Sequence, residues 1–156
     1  MSVEGFERLR AGSVTFWSAY TAYRNAFDLA KEGVEPEVFE GLREHQSEIA
    51  IASVVWHELW YGCCRLPPSG KRTVIEALLR DVVARAIPIL PSDQRAAQWH
   101  AEERARLAQI GRPPPFADGQ IAAIAATNGL SLVTFNSDDY SAFRGLRLED
   151  WRNRRS

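Results

Sequence analysis

Ile49-Ala50-Ile51-Ala52-Ser53-Val54-Val55-Trp56-His57-Glu58-Leu59-Trp60-Tyr61-Gly62 joins a run of small and apolar residues to a segment of bulky and charged ones. The first half lacks the polar and apolar alternation of a strand with one wet face. It therefore reads as a strand over 49–55 covered on both sides. The second half reads as a short helix, His57 to Gly62, with Glu58 in its first turn. Similar short apolar runs recur at Val14 to Trp17, Ile87 to Leu90, Leu130 to Phe135 and Leu146 to Leu148.

Helical patterns lie between these runs. Tyr20, Tyr23, Phe27 and Ala30 recur at helical spacing, with Ser18 as N-cap and Gly33 as stop, and Val38, Phe39 and Leu42 form a second short helix. Val74, Ile75, Leu78, Leu79, Val82 and Val83 predict one amphipathic helix. A charged, Ala-rich helix over 94–110 ends at Gly111, where Arg112-Pro113-Pro114-Pro115 blocks continuation. Asp118 opens a further helix that stops at Asn128-Gly129. Buried strands alternating with helices predict an α/β fold, a three-layer sandwich with a central parallel sheet of four to five short strands flanked by helices. In such a sheet, ligands sit beyond the carboxyl ends of the strands.

Composition fits a single domain over 1–156: 46% of the 156 residues are hydrophobic and 25% charged, which excludes a disordered chain. The formal net charge is −1, so a polyanion would have to be held by a local basic rim. Arg104, Arg106 and Arg112, which lead toward Asp118, are the candidates for that rim. No apolar run approaches the ~20 residues of a membrane span. Acids at the N-terminus speak against a signal peptide, so a cytoplasmic location is expected. Cys63 and Cys64 are adjacent, too close for an unstrained bridge, and are expected as reduced, half-buried side chains. His45 and His100 stand alone on charged helices and are expected at the surface.

The chemistry-bearing residues are acids. Glu58 follows the 49–55 strand, Asn136-Ser137-Asp138-Asp139 follows the 130–135 strand, and Asp118 begins the helix leading into it. Capping would account for Asp118 by itself, and the helix dipole for Glu58. Convergence of acids from distant parts of the chain on one sheet edge changes that reading. Carboxylates gathered without a basic partner call for a cation, and oxygen donors without a Cys or His set suit Mg²⁺ or Mn²⁺. Such an ion serves phosphodiester hydrolysis. Rival motifs fail: His57-Glu58 meets Tyr61 where a zinc protease needs its second His, and no dinucleotide, P-loop or nucleophile-elbow signature is present.

The stretch Ile49 to Gly62, the segment Phe116-Ala117-Asp118-Gly119-Gln120-Ile121-Ala122-Ala123-Ile124-Ala125 after Arg112-Pro113, and Leu130 to Tyr140 followed by Gly145 to Trp151 together resemble PIN-domain ribonucleases of the VapC toxin type. The resemblance runs with gaps from Glu37 to Trp151. It implies a Mg²⁺-dependent ribonuclease, the toxin of a toxin–antitoxin pair, often a homodimer and inhibited by a small cognate antitoxin. Carried over, Glu58, Asp118 and Asp139 fall on family acids as metal ligands and catalytic groups, with Asn136 as their polar companion and Asp138 as the local alternate to Asp139. The first ~30 residues depart from the pattern. Family members end their first strand in Asp-Thr-Asn, whereas Ser18 or Tyr23 stands here, with Asp28 the nearest acid. Two functions follow: an active endoribonuclease, or a PIN-like module that has weakened or lost catalysis and keeps only partner or RNA binding. Trp56, Trp60 and Tyr61 cannot all face one core from a short helix, so some of this set should await a partner.

Overall fold

The computed structural model describes residues 15–17, 44 and 48–153. Five short strands hydrogen-bond in the order β3-β2-β1-β4-β5: β1 Thr15–Trp17, β2 Ile49–Ala52, β3 Ile89–Leu90, β4 Ser131–Val133 and β5 Arg147–Glu149. Every pair is parallel, with Phe16 opposite both Ala50 and Leu132. All four β2 residues are buried, which is why the sequence there runs apolar without alternation.

The strand stops at Ala52 and not at Val55. Helix α1, Ser53–Cys64, takes over directly, and among the described residues β2 is paired to Ile51 with β1 and to Ala52 with β3. Val54 and Val55 are therefore helical despite their preference for strands, and Val55, Leu59 and Cys63 form the buried stripe of α1. This moves Glu58 from the expected first turn to the second. The expected half-buried cysteine pair resolves into Cys63 inside and Cys64 exposed, both free thiols.

The single helix expected over Val74–Val83 is broken in character. Ser69 caps α2, Gly70–Ala77, by accepting from the Arg72 N–H at 3.2 Å. A π-helical stretch, Leu78–Val83, follows, and then α3, Ala84–Ala86. Ile75 and Leu79 are buried, but Val74 faces outward, because the stripe runs through i and i+4 without it.

Helix α4, Gln94–Gln109, and α5, Phe116–Thr127, pack on each other. Both end as read, with Gly111 and Gly129 at φ 71° and 70° and the next residue's N–H bonding back to Leu107 and Ala125. His100 overturns its surface assignment. Ala96, His100, Glu103 and Leu107 are the buried residues of α4. The imidazole lies where a Cβ at position 119 would stand, and Gly119 leaves that room. Ala122, Ala123 and Ala125 are likewise buried, keeping α5 slim where it meets its neighbours.

Buried Glu103 ties the segment before β5 to this pair. It accepts from Arg106 Nε at 2.8 Å and Nη2 at 2.6 Å and from the Arg144 N–H at 3.0 Å, while Arg106 Nη2 also donates to the Ala142 carbonyl at 2.8 Å. Trp151, fully buried, closes the structure after β5 and donates to Glu149 at 3.1 Å. Among the described residues, no helix is long and apolar enough to cross a membrane. The expected helices before residue 44, and Ser18, Tyr23 and Asp28, lie outside the described residues.

Candidate active site

With all strands parallel, the chain leaves β2 and β4 on one edge of the sheet. After β4, buried Thr134 accepts the Asn136 N–H at 3.1 Å, bending the chain into α6, Ser137–Tyr140. The Asp139 N–H donates to the Asn136 carbonyl at 3.2 Å, and the Asn136 side-chain amide donates to Asp139 Oδ2. Asn136 thus fixes Asp139 from two sides.

Asp118 reaches the same place from α5. It is the third residue of that helix, behind Pro115 as the cap residue, and no side chain caps this end. The expected opening position and capping role are therefore corrected: the carboxylate is directed elsewhere. Its Oδ1 accepts the Tyr140 phenol at 3.2 Å. Burial raises the Asp118 pKa, the Tyr140 hydrogen bond works against this, and the charge of Asp139 adds to it. Burial, the Asp118 charge and their hydrogen bond push the Tyr140 phenol far up, so it serves as a fixed donor. The carboxylate that acts on Asp118 is that of Asp139; Asp138 and Asp139 are both exposed, and the Asp138 carbonyl accepts from Ser141 Oγ at 3.0 Å.

Glu58 is not drawn into this pair. Its Oε1 lies 3.2 Å from His57 Nδ1 on a largely exposed face of α1. Among the described residues, no group of three or more His, Cys, Asp or Glu is placed to hold a metal ion. The expected convergence of three acids is thus reduced to two. The chemistry of that pair suits a hard cation: both donors are carboxylate oxygens, and no Lys or Arg among the described residues pairs with either.

Of the three arginines expected as a basic rim, Arg104 and Arg112 are exposed. Arg106 is held inward by Glu103 and the Ala142 carbonyl, which leaves it a structural part. Tyr61 is 53% exposed, whereas Trp56 and Trp60 pack partly against the core, edge to face with ring centroids 5.8 Å apart. The residue that sequence reasoning missed is Tyr140. Its only signal was an aromatic directly after two acids in a site loop.

A family model described as PIN domain matches residues 26–145. The tRNA(fMet)-specific endonuclease VapC of Shigella flexneri is 37% identical over 115 residues, covering 73% of this chain and 83% of that protein. Its namesake in Salmonella typhimurium is 32% identical over 119 residues, covering 75% and 86%. Among solved structures, DNA-bound VapBC from Salmonella typhimurium aligns with a TM-score of 0.75 at 26% identity, over 90% of this chain and 99% of that one. FitAcB from Neisseria gonorrhoeae aligns at 0.78 over 90% and 99%, and at 19% identity it speaks for the fold alone.

Proposed function

The chain belongs to the PIN-domain family, and from that premise we propose that it is a Mg²⁺- or Mn²⁺-dependent endoribonuclease, the toxin of a toxin–antitoxin pair. The observation that carries this is the Asp118–Asp139 pair, set at the carboxyl edge of a parallel sheet without a basic partner among the described residues. Two relatives that bear the name tRNA(fMet)-specific endonuclease support tRNA as the substrate class. VapBC structures among the neighbours support a small cognate antitoxin as partner, and exposed Tyr61 suits a covered surface in a complex or a homodimer. We read the chain as one three-layer domain over 1–156 that works in the cytoplasm.

In this reading Asp118 and Asp139 would hold the cation, while Glu58 stays with His57 on the face of α1. When bound, the ion offsets phosphoryl charge and lowers the pKa of water. The protein's own residues do the rest. Tyr140 keeps Asp118 in one orientation by donating to Oδ1, and Asn136 does the same for Asp139. Burial makes Asp118 more basic than an ordinary carboxylate, which strengthens its hold on a proton or a cation. Arg104 and Arg112 supply positive charge near the start of α5 for the RNA backbone.

One observation favours the second reading, a module with weakened or lost catalysis: the described residues gather two acids and not three. Cleavage of tRNA by the purified protein with Mg²⁺, and its loss in EDTA and in Asp118→Asn, tests the nuclease reading. Binding of RNA without cleavage in either condition would establish the module instead.

A further inference from the structure

Phe116 is the first residue of α5, yet 55% of it is exposed. It is not a loose side chain. The Arg104 guanidinium lies over its ring at 5.2 Å, and the His100 ring packs against it at 4.9 Å and 57°. His100 is itself buried, so the phenyl ring is propped from the interior and topped by a cation at the surface. Three consecutive prolines, Pro113 to Pro115, stiffen the chain that delivers it. Asp118 lies two positions further along the same helix, roughly 200° around its axis, so the platform and the carboxylate flank the start of α5 on different sides. These contacts fasten one side of the ring, and the exposed remainder lies beside a guanidinium at the surface. It is well suited to a flat, polyanionic ligand.

We infer that Phe116 and Arg104 form a nucleobase-stacking platform that seats an unpaired RNA nucleotide at the start of α5, the helix that also carries Asp118. Stacking on an aromatic ring is tolerant of sequence, because every base has a π-face, and a neighbouring Arg adds charge for the phosphate. Exposed Arg112, in the same connection between α4 and α5, extends the positive surface. The complementarity is what selects RNA over an apolar partner segment. This inference rests on the nuclease reading for what the seated nucleotide is there for, but not for its binding.

The probe is a short single-stranded oligoribonucleotide carrying one 2-aminopurine, titrated with the full chain in EDTA. Anisotropy reports affinity, and quenching reports stacking. Phe116→Ala should lose the quench and bind about tenfold more weakly, the order expected for one base stack. Phe116→Trp should restore both, and Arg104→Gln should weaken binding while keeping the quench at saturation. Wild-type quench and affinity in Phe116→Ala, in a variant that melts like the parent, would overturn the platform. So would unchanged RNA affinity with dissociation of a dimer, which would make Phe116 an interface residue. No binding by the wild type would overturn it too. Cleavage of the same RNA with Mg²⁺ separates the two ideas: cleavage without any dependence on Phe116 removes the platform alone, and Phe116-dependent binding without wild-type cleavage removes the nuclease alone.

Discussion

The Tyr140 phenol donates to Asp118 Oδ1 at 3.2 Å, joining the loop after β4 to the first turn of α5 across 22 positions of sequence. The phenol is buried and the carboxylate half-buried, so this bond stabilises the charged form of Asp118 against the desolvation that opposes it. Tyr140→Phe keeps the packing and removes the donor. Asp118 should then become still harder to ionise, and the acid limb of the cleavage profile should move to higher pH. Thermal melting should register a loss of about 1 kcal/mol, typical of one hydrogen bond. An acid limb that stays in place would mean that Asp118 is not the group titrating in the reaction.

The two neighbouring acids of α6 should behave differently. Both are exposed, but Asp139 is held by the Asn136 amide and acts on Asp118. Asp139→Asn should abolish most cleavage, and Asp138→Asn should leave it near the parent's rate. Asn136→Ala should fall between, about 10- to 100-fold down in metal affinity or activity, as for other groups that orient a ligand. Isothermal titration with Mn²⁺ and initial cleavage rates check the order; equal losses at 138 and 139 would refute it.

Gly119 and His100 occupy one space. A Cβ at 119 would overlap the imidazole Nε2, and that nitrogen is buried without a hydrogen-bond partner among the described residues. Alanine normally improves a helix interior by up to about 1 kcal/mol over glycine. Here overpacking of about 1–3 kcal/mol should win, so Gly119→Ala should lower the melting temperature. Adding His100→Ala should recover part of that loss, a coupling expected only between residues in contact. Additive effects of the two changes would show that the ring swings aside freely.

Ile49–Ala52 was legible as a doubly covered strand because a short apolar run with no polar face has to be buried on both sides. Its end was not, since Val54 and Val55 continue the same chemistry although the helix has already begun at Ser53. The edge where Asp118 and Asp139 meet was legible from strand and helix order. The position of Glu58 was not, because it depends on where α1 starts and how it turns. His100 and Glu103 were hidden by the exposed charges next to them: Glu102 and Arg104 make α4 read as solvated on all sides, although the 96, 100, 103, 107 stripe is present. Tyr140 needed the fold, since nothing local links a phenol to an acid in another helix.

Glu103 gives the protein an acid-sensitive clamp. The Arg106 hydrogen bonds lower its pKa most, burial opposes them, and the Arg144 N–H lowers it further. A carboxyl whose folded pKa is depressed contributes stability that is fully present above its unfolded value, about 4.3, and is lost as pH falls through the folded value below that. At pH 7 Glu103→Gln should cost about 1–3 kcal/mol, since the change removes a charged acceptor and leaves Arg106 and the Arg144 N–H with a neutral one. Urea melts of parent and variant should differ by this amount at pH 7 and at pH 5. Below about pH 4 the difference should shrink, because protonation of Glu103 in the parent makes the two proteins alike. The loop after α6 should loosen at the same time, for the Arg144 N–H bonds to this carboxylate, and Arg106, which the carboxylate orients, donates to the Ala142 carbonyl. Hydrogen exchange at the Arg144 amide, protected at pH 7 in the parent and faster in the variant, reads the clamp directly. A gap between the melts that stays constant from pH 7 to pH 3 would show that Glu103 acts through its shape and not its charge.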